Sequence, residues 1–305
     1  MASPIAGAEV HHSARPLDTL GTLLVLGLCM TWGFNQVAVK LAIHDIPPLI
    51  QAAVRSTGAT FVVVIIARLR GLPLFARDGS LTPGLVAGLL FGLEFLLVYR
   101  GLLWTTATRA VLFLYLTPFF VALCARWVIP ADRLDGMQWT GLALSFAGVV
   151  VAFGIPTPAD DPRQIFGDIM MVAAAAIWAA TTLVIKASAL NRVSAEKTLL
   201  YQLVVSAPMM AIGAVIFGEQ VNAMPSAIAL GALAYQTFWV VSITYIVWFA
   251  LILRYSASRL SAFTFLTPIF GVAAGHLVLG EPLTPAFAIA VLLVAAGLIL
   301  VNRPR

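Results

Sequence analysis

The segment Arg109-Ala-Val-Leu-Phe-Leu-Tyr-Leu-Thr-Pro-Phe-Phe120 returns 150 residues later as Arg259-Leu-Ser-Ala-Phe-Thr-Phe-Leu-Thr-Pro-Ile-Phe270. Arg, Phe, Leu, Thr, Pro and Phe recur in register. The residues just before also correspond, Thr106-Ala107-Thr108 against Ser256-Ala257-Ser258. An offset of about half the chain indicates a duplicated half. In a membrane chain, a duplicated half predicts a transporter with its site between the halves.

Composition supplies the membrane. Hydrophobic residues make up 61% and charged residues 10%, against roughly 45–50% and 25% in soluble domains. Apolar runs of about 20 residues, each enough for a ~30 Å hydrocarbon core, follow one another down the chain. Their positions predict ten helices, at 18–41, 48–69, 82–101, 106–128, 137–155, 166–188, 196–217, 226–252, 258–279 and 284–301. The runs are too long for strands and lack alternation. The expected fold is an all-α integral membrane protein: ten transmembrane helices forming two inverted five-helix repeats around a central cavity.

Ten spans put both termini on one side. With the N-terminus cytoplasmic, the inner segments hold Arg15, Arg68, Arg70, Arg77, Arg126, Arg133, Lys186, Arg192, Lys197, Arg254, Arg259, Arg303 and Arg305. The outer segments hold only Lys40, Arg100, Arg109 and Arg163. The positive-inside rule therefore chooses cytoplasmic termini in a bacterial inner membrane. The net charge of +5 then belongs to loops facing anionic lipid, so the expected partners are the bilayer and a small-molecule substrate, not nucleic acid. A monomer is expected. The expected organisation is a cytoplasmic tail over 1–17, a first repeat over 18–155, an outer linker over 156–165, a second repeat over 166–301 and a cytoplasmic tail over 302–305.

The first spans of the halves also match, at an offset of 146: Trp32 with Trp178 and Lys40 with Lys186. Five helices per half is odd, so the second half enters the membrane from the opposite side. With these elements in place, the chain resembles the drug/metabolite transporter superfamily, with two EamA-type halves. The resemblance rests on Thr31-Trp32-Gly33 with Lys40, Pro48 followed by Arg55, the two Leu-Thr-Pro segments, and the turn Gly280-Glu281-Pro282-Leu283-Thr284. Within the superfamily it most resembles bacterial YddG-type amino-acid exporters. One departure stands out: where the first half should carry its own Gly-Glu turn, it reads Val128-Ile129-Pro130-Ala131-Asp132-Arg133.

Glu94 is the leading site candidate. It lies about twelve residues into the third span, roughly 18 Å from the cytoplasmic end. A charge there costs ~3 kcal/mol on insertion scales, so it calls for a partner or a wet cavity. It either binds a substrate amine, carries a proton, or is a neutral hydrogen-bonded packing group. Arg55 either pairs with Glu94, binds a substrate carboxylate through its planar fork, or reaches the interface. Trp32, Gln36 and Lys40 recur at i, i+4 and i+8, as do Trp178, Thr182 and Lys186, and a polar-aromatic stripe belongs toward the bundle centre. The alternative for each lysine is to reach its nearest interface. Tyr99, Tyr115 and Trp239 are further cavity candidates, Trp239 because it is too deep for an interfacial belt. Pro118 and Pro268 remove a helix bond near the midplane in each half and leave the carbonyls of Leu114 and Thr264 to be satisfied otherwise, which suits gating or a static bend.

Cys29 and Cys124 read as packing residues, and no His/Cys spacing suits a metal. No cofactor is expected. There is no Walker-type phosphate loop and no Ser/His/Asp grouping, so the chain is not expected to be an enzyme. The resemblance implies a secondary transporter exporting amino acids or similar small amphipathic metabolites by alternating access. The alternative is a proton-coupled multidrug or quaternary-amine exporter with Glu94 as its proton site.

Overall fold

The computed structural model describes residues 16–155 and 161–303. Most of the expected N-terminal tail, part of the 156–165 linker and the last two residues lie outside the described residues. Among the described residues, ten helices are long and apolar enough to cross a membrane: Thr19–Ile43, Pro48–Leu69, Leu81–Gly101, Ala107–Val128, Gly136–Phe153, Pro162–Ala187, Ala195–Ile216, Ala227–Arg254, Ala257–Leu279 and Pro285–Asn302. Each overlies one of the expected spans, and they are called the first to tenth spans below.

Local chemistry sets their ends. The carboxylate of Asp18 accepts the Gly21 amide at 2.7 Å and caps the first span. Asp135 and Gln138 form a reciprocal capping box at the fifth, satisfying orphan donors that a helix start always leaves. Proline occupies the first turn of the second, sixth and tenth spans, where its missing N–H costs nothing.

Both Thr-Pro sites break their helices. The fourth span is Ala107–Leu114 followed by Thr117–Val128, and the ninth is Ala257–Phe263 followed by Leu266–Leu279. The carbonyl freed at Leu114 accepts the Thr117 hydroxyl at 2.8 Å. The one freed at Thr264 accepts the Thr267 amide at 2.9 Å. That carbonyl of the ninth span is thus satisfied within its own chain.

The spans pack mostly across the two halves. The fifth lies on the tenth and the second on the seventh. The third lies on the sixth as the eighth does on the first; the ninth lies on the first as the fourth does on the sixth; the third lies on the seventh as the eighth does on the second. Exchanging the two sets of five maps these pairings onto one another. The fifth–tenth seam is the tightest: a Cβ on Gly297 would stand 2.3 Å from Ser145 Oγ and 2.5 Å from the Gly141 carbonyl. Small residues matter here because lipid gives helices no hydrophobic reason to associate, so close van der Waals contact must do so.

Candidate functional site

The first, third, fourth, sixth and eighth spans, with single residues of the second, seventh and ninth, leave a cavity of about 230 Å³ between them. That is below the roughly 300–1,000 Å³ of drug-sized sites, so it suits a small solute. Of its lining residues, Val39 of the first span and Val98, Tyr99 and Leu102 of the third lie toward the face away from the chain termini, and Leu102 is 42% exposed there, which places the opening on that side. The opposite end is sealed by buried Leu190, Leu199, Ile252, Leu260 and Phe263.

Glu94 and Arg55 both line this cavity and both are buried, 8% and 4% exposed. They are near enough to feel each other's charge. Among the described residues, however, Glu94 makes no ion pair within 4.0 Å. Arg55 instead lies over the Phe95 ring, 4.8 Å from its centroid, and its Nε is buried without a hydrogen-bond partner. Opposite charges in low dielectric attract strongly, and an orphaned buried donor costs about 1–3 kcal/mol. Two unjoined charges in one cavity therefore leave bonding capacity for a ligand or ordered water.

Aromatic rings form the walls. The Trp32 indole donates to Thr244 Oγ1 at 2.9 Å and meets Tyr245 and Trp248 edge-on, at 5.9 and 5.2 Å between centroids. Phe91 joins the same stack. Asn35, Gln36, Thr181, Thr182, Trp178, Tyr115 and Gln202 also line it. The Thr182 hydroxyl is turned back to the Trp178 carbonyl at 3.1 Å. By contrast, Asn35 Oδ1 and Gln202 Oε1 are buried acceptors without a partner.

The structure thus brings Glu94, Arg55, Trp32, Gln36, Tyr99, Tyr115, Trp178 and Thr182 to one cavity. It places three others outside the cavity. Trp239 is 49% exposed on the outside of the bundle. The cause is a π-helical stretch, Tyr235–Thr244, whose i→i+5 bonding rotates the register and offers Tyr245 and Trp248 to the cavity instead. Trp239→Leu is expected to leave transport within about twofold of wild type, as surface substitutions away from special features are nearly silent; uptake in proteoliposomes checks this. Lys40 is outside the cavity and pairs with Glu281 at 2.9 Å, the two side chains 61% and 47% exposed. Lys186 is also outside: its ammonium donates to the carbonyls of Ile252 and Tyr255 at 2.7 and 2.6 Å, filling the open end of the eighth span. Pro118 and Pro268 are buried beside the cavity and do not line it. Sequence reasoning missed Phe95 and Gln202, which only the packing of the third and seventh spans brings into place.

Two acidic residues outside the cavity, Asp168 and Glu219, make structural contacts. Asp168 accepts from the Thr105 hydroxyl at 2.6 Å and pairs with Arg109, tying the fourth span to the sixth. Glu219 receives the first free amides of the second span, Leu49 and Ile50. Cys29 and Cys124 are free thiols.

The sequence profile described as the EamA-like transporter family matches residues 19–154 and again 165–303. An uncharacterized transporter of Bacillus subtilis, YoaV, is 22% identical over 90% of this chain and 94% of its own length. A probable amino-acid metabolite efflux pump of Escherichia coli is 25% identical over 90% of this chain and 92% of its own. A solved crystal structure superposes with a TM-score of 0.80, covering 92% of this chain and 97% of that one at 21% identity; it speaks to the fold alone.

Proposed function

Because the chain belongs to the EamA-like transporter family, we propose that it exports amino acids or similar small amphipathic metabolites through this cavity. The reading takes the two sets of five spans as inverted repeats, with domain limits near 18–155 and 166–301. It takes both termini as cytoplasmic in a bacterial inner membrane, from the count of Lys and Arg in the loops, and the protein as a monomer. Alternating access then moves one bundle against the other around the site, with the breaks at Pro118 and Pro268 as bending points.

One observation carries the substrate class. A carboxylate, Glu94, and a guanidinium, Arg55, line the same small aromatic cavity unjoined. A zwitterion satisfies both at once, its ammonium on Glu94 and its carboxylate on Arg55, while its apolar part lies against Trp32, Trp178 and Trp248. A quaternary amine satisfies Glu94 and leaves Arg55 facing a second positive charge in a dry site. That disfavours the alternative, a proton-coupled multidrug or quaternary-amine exporter. The name borne by the Escherichia coli relative agrees with the amino-acid reading.

Counterflow into proteoliposomes, against a panel of amino acids, their methyl esters and cationic drugs, tests this. In Arg55→Gln the apparent affinity for free amino acids should fall on the order of 10²-fold, about 3 kcal/mol, as for one lost partner of a buried charge pair. The methyl esters should bind wild type weakly and be indifferent to the substitution. Cation flux without amino-acid flux, unaffected by Arg55→Gln, would overturn the reading.

A further inference from the structure

The two faces of the bundle are closed to different degrees, although their parts correspond. On the face that carries the termini, every residue of Ala257–Phe263 in the ninth span is buried. In the matching piece of the fourth span, Ala107–Leu114, only Ala110 and Leu112 are buried.

On the termini face one side chain reaches the start of the ninth span from the other half. Asp132 stands in the short turn Pro130–Asp132 directly after the fourth span and is 3% exposed. Its carboxylate accepts the Ala257 amide at 2.7 Å, the Ser258 amide at 3.2 Å and the Ser256 hydroxyl. Its carbonyl accepts the Ser258 hydroxyl at 3.2 Å. The fourth span of one half thus holds the start of the ninth in the other. Neighbouring ties reinforce this face. Lys186 fastens the end of the eighth span, and the Tyr255 hydroxyl donates to Asp18 at the start of the first at 2.7 Å.

Glu281 occupies the corresponding place after the ninth span. It is about half exposed and is bonded to Lys40, on the first span, not to the start of the fourth. The face on which Asp132 is engaged is the sealed one; the face of Glu281 is the one where the cavity opens. Among the described residues, Asp132 is the acid that spans the two halves on the sealed face by bonding the ninth span's first turn.

We propose that Asp132 is the latch of the closed gate. Releasing its bonds to Ser256, Ala257 and Ser258 frees Ala257–Phe263 and lets the cavity open toward the termini face. The inference rests on the transporter reading and is independent of which solute is carried.

The test is a directional accessibility measurement on the full chain in membrane vesicles. In a Cys29→Ala, Cys124→Ala background, Ser261→Cys reports on the sealed face and Val98→Cys on the open mouth, each labelled by a membrane-impermeant maleimide added to one face at a time. Asp132→Ala should raise Ser261→Cys labelling from the termini face at least tenfold and slow Val98→Cys labelling from the other. Asp132→Asn, which keeps an acceptor oxygen, should lie between. Unchanged labelling at both reporters overturns the latch, and so does an equal rise at both, since that marks general loosening. Where Asp132→Ala is not recovered as folded protein, the Ser256→Ala, Ser258→Ala pair removes the hydroxyl bonds from the other side, with the same outcomes deciding. A wild-type protein that carries no amino acid defeats the substrate reading and leaves the labelling result to stand or fall on its own.

Discussion

Glu94→Gln is expected to reduce amino-acid counterflow at least 100-fold while leaving the protein folded and inserted. The substitution is nearly isosteric, so the packing around Phe91 and Phe95 is kept. What changes is charge. The substrate ammonium loses its counter-charge in a site that holds Arg55 as well, and removing one partner of a buried pair costs about 3–5 kcal/mol because the other charge is stranded. Each 1.4 kcal/mol is about tenfold in affinity, so the loss exceeds two orders of magnitude. Counterflow and size-exclusion profiles on the same preparations decide the matter. Wild-type exchange together with loss of only the gradient-driven flux would make Glu94 a proton carrier and favour the alternative exporter.

The second large effect concerns assembly. Gly297→Val is expected to lower thermal stability by about 3 kcal/mol or more, on the order of 10 °C in melting temperature, or to prevent recovery of folded protein. The added Cβ meets Ser145 Oγ, the Gly141 carbonyl and the Ser145 amide at 2.3 to 2.6 Å. Two of these are backbone atoms of a packed helix and cannot turn aside. Gly27→Val is the control: a Cβ there meets nothing within 4 Å, and its melting temperature should stay within about 2 °C of wild type. Equal melting for both variants would show that the seam is not what holds the halves together.

Most of the fold is legible in the chain because a bilayer imposes few solutions. Length and apolar composition fix the ten spans, and a proline that removes a bond fixes the breaks just before Thr117 and Leu266. The cavity is legible in part. Glu94 stands out because a charge at that depth needs a reason. The stripe from Trp32 to Gln36 drifts by only about 40° around the helix, but at Lys40 the drift reaches about 80°, which carries Lys40 out of the cavity to Glu281. Trp239 fails for a different cause: depth in the span does not tell which side of the helix a ring lies on, and these ten residues turn as a π-helix. The separation of Arg55 from Glu94 is invisible in sequence, since it depends on where Phe95 holds the guanidinium. The displaced acid of the first half is visible as Asp132, though its partners lie about 125 residues further on.

The cross-half pairing of the spans has a consequence for biogenesis. Spans one, three and five find their main partners in spans six to ten, so the first half leaves the ribosome with its contact surfaces unclaimed. During that interval Glu94 and Arg55 have no finished cavity around them, and the glycine face of span five waits for a helix about 150 residues downstream. Contacts so distant in sequence form slowly. The nascent chain is therefore most exposed to wrong partners and to quality control in the middle of its synthesis, and that exposure ends when the tenth span arrives.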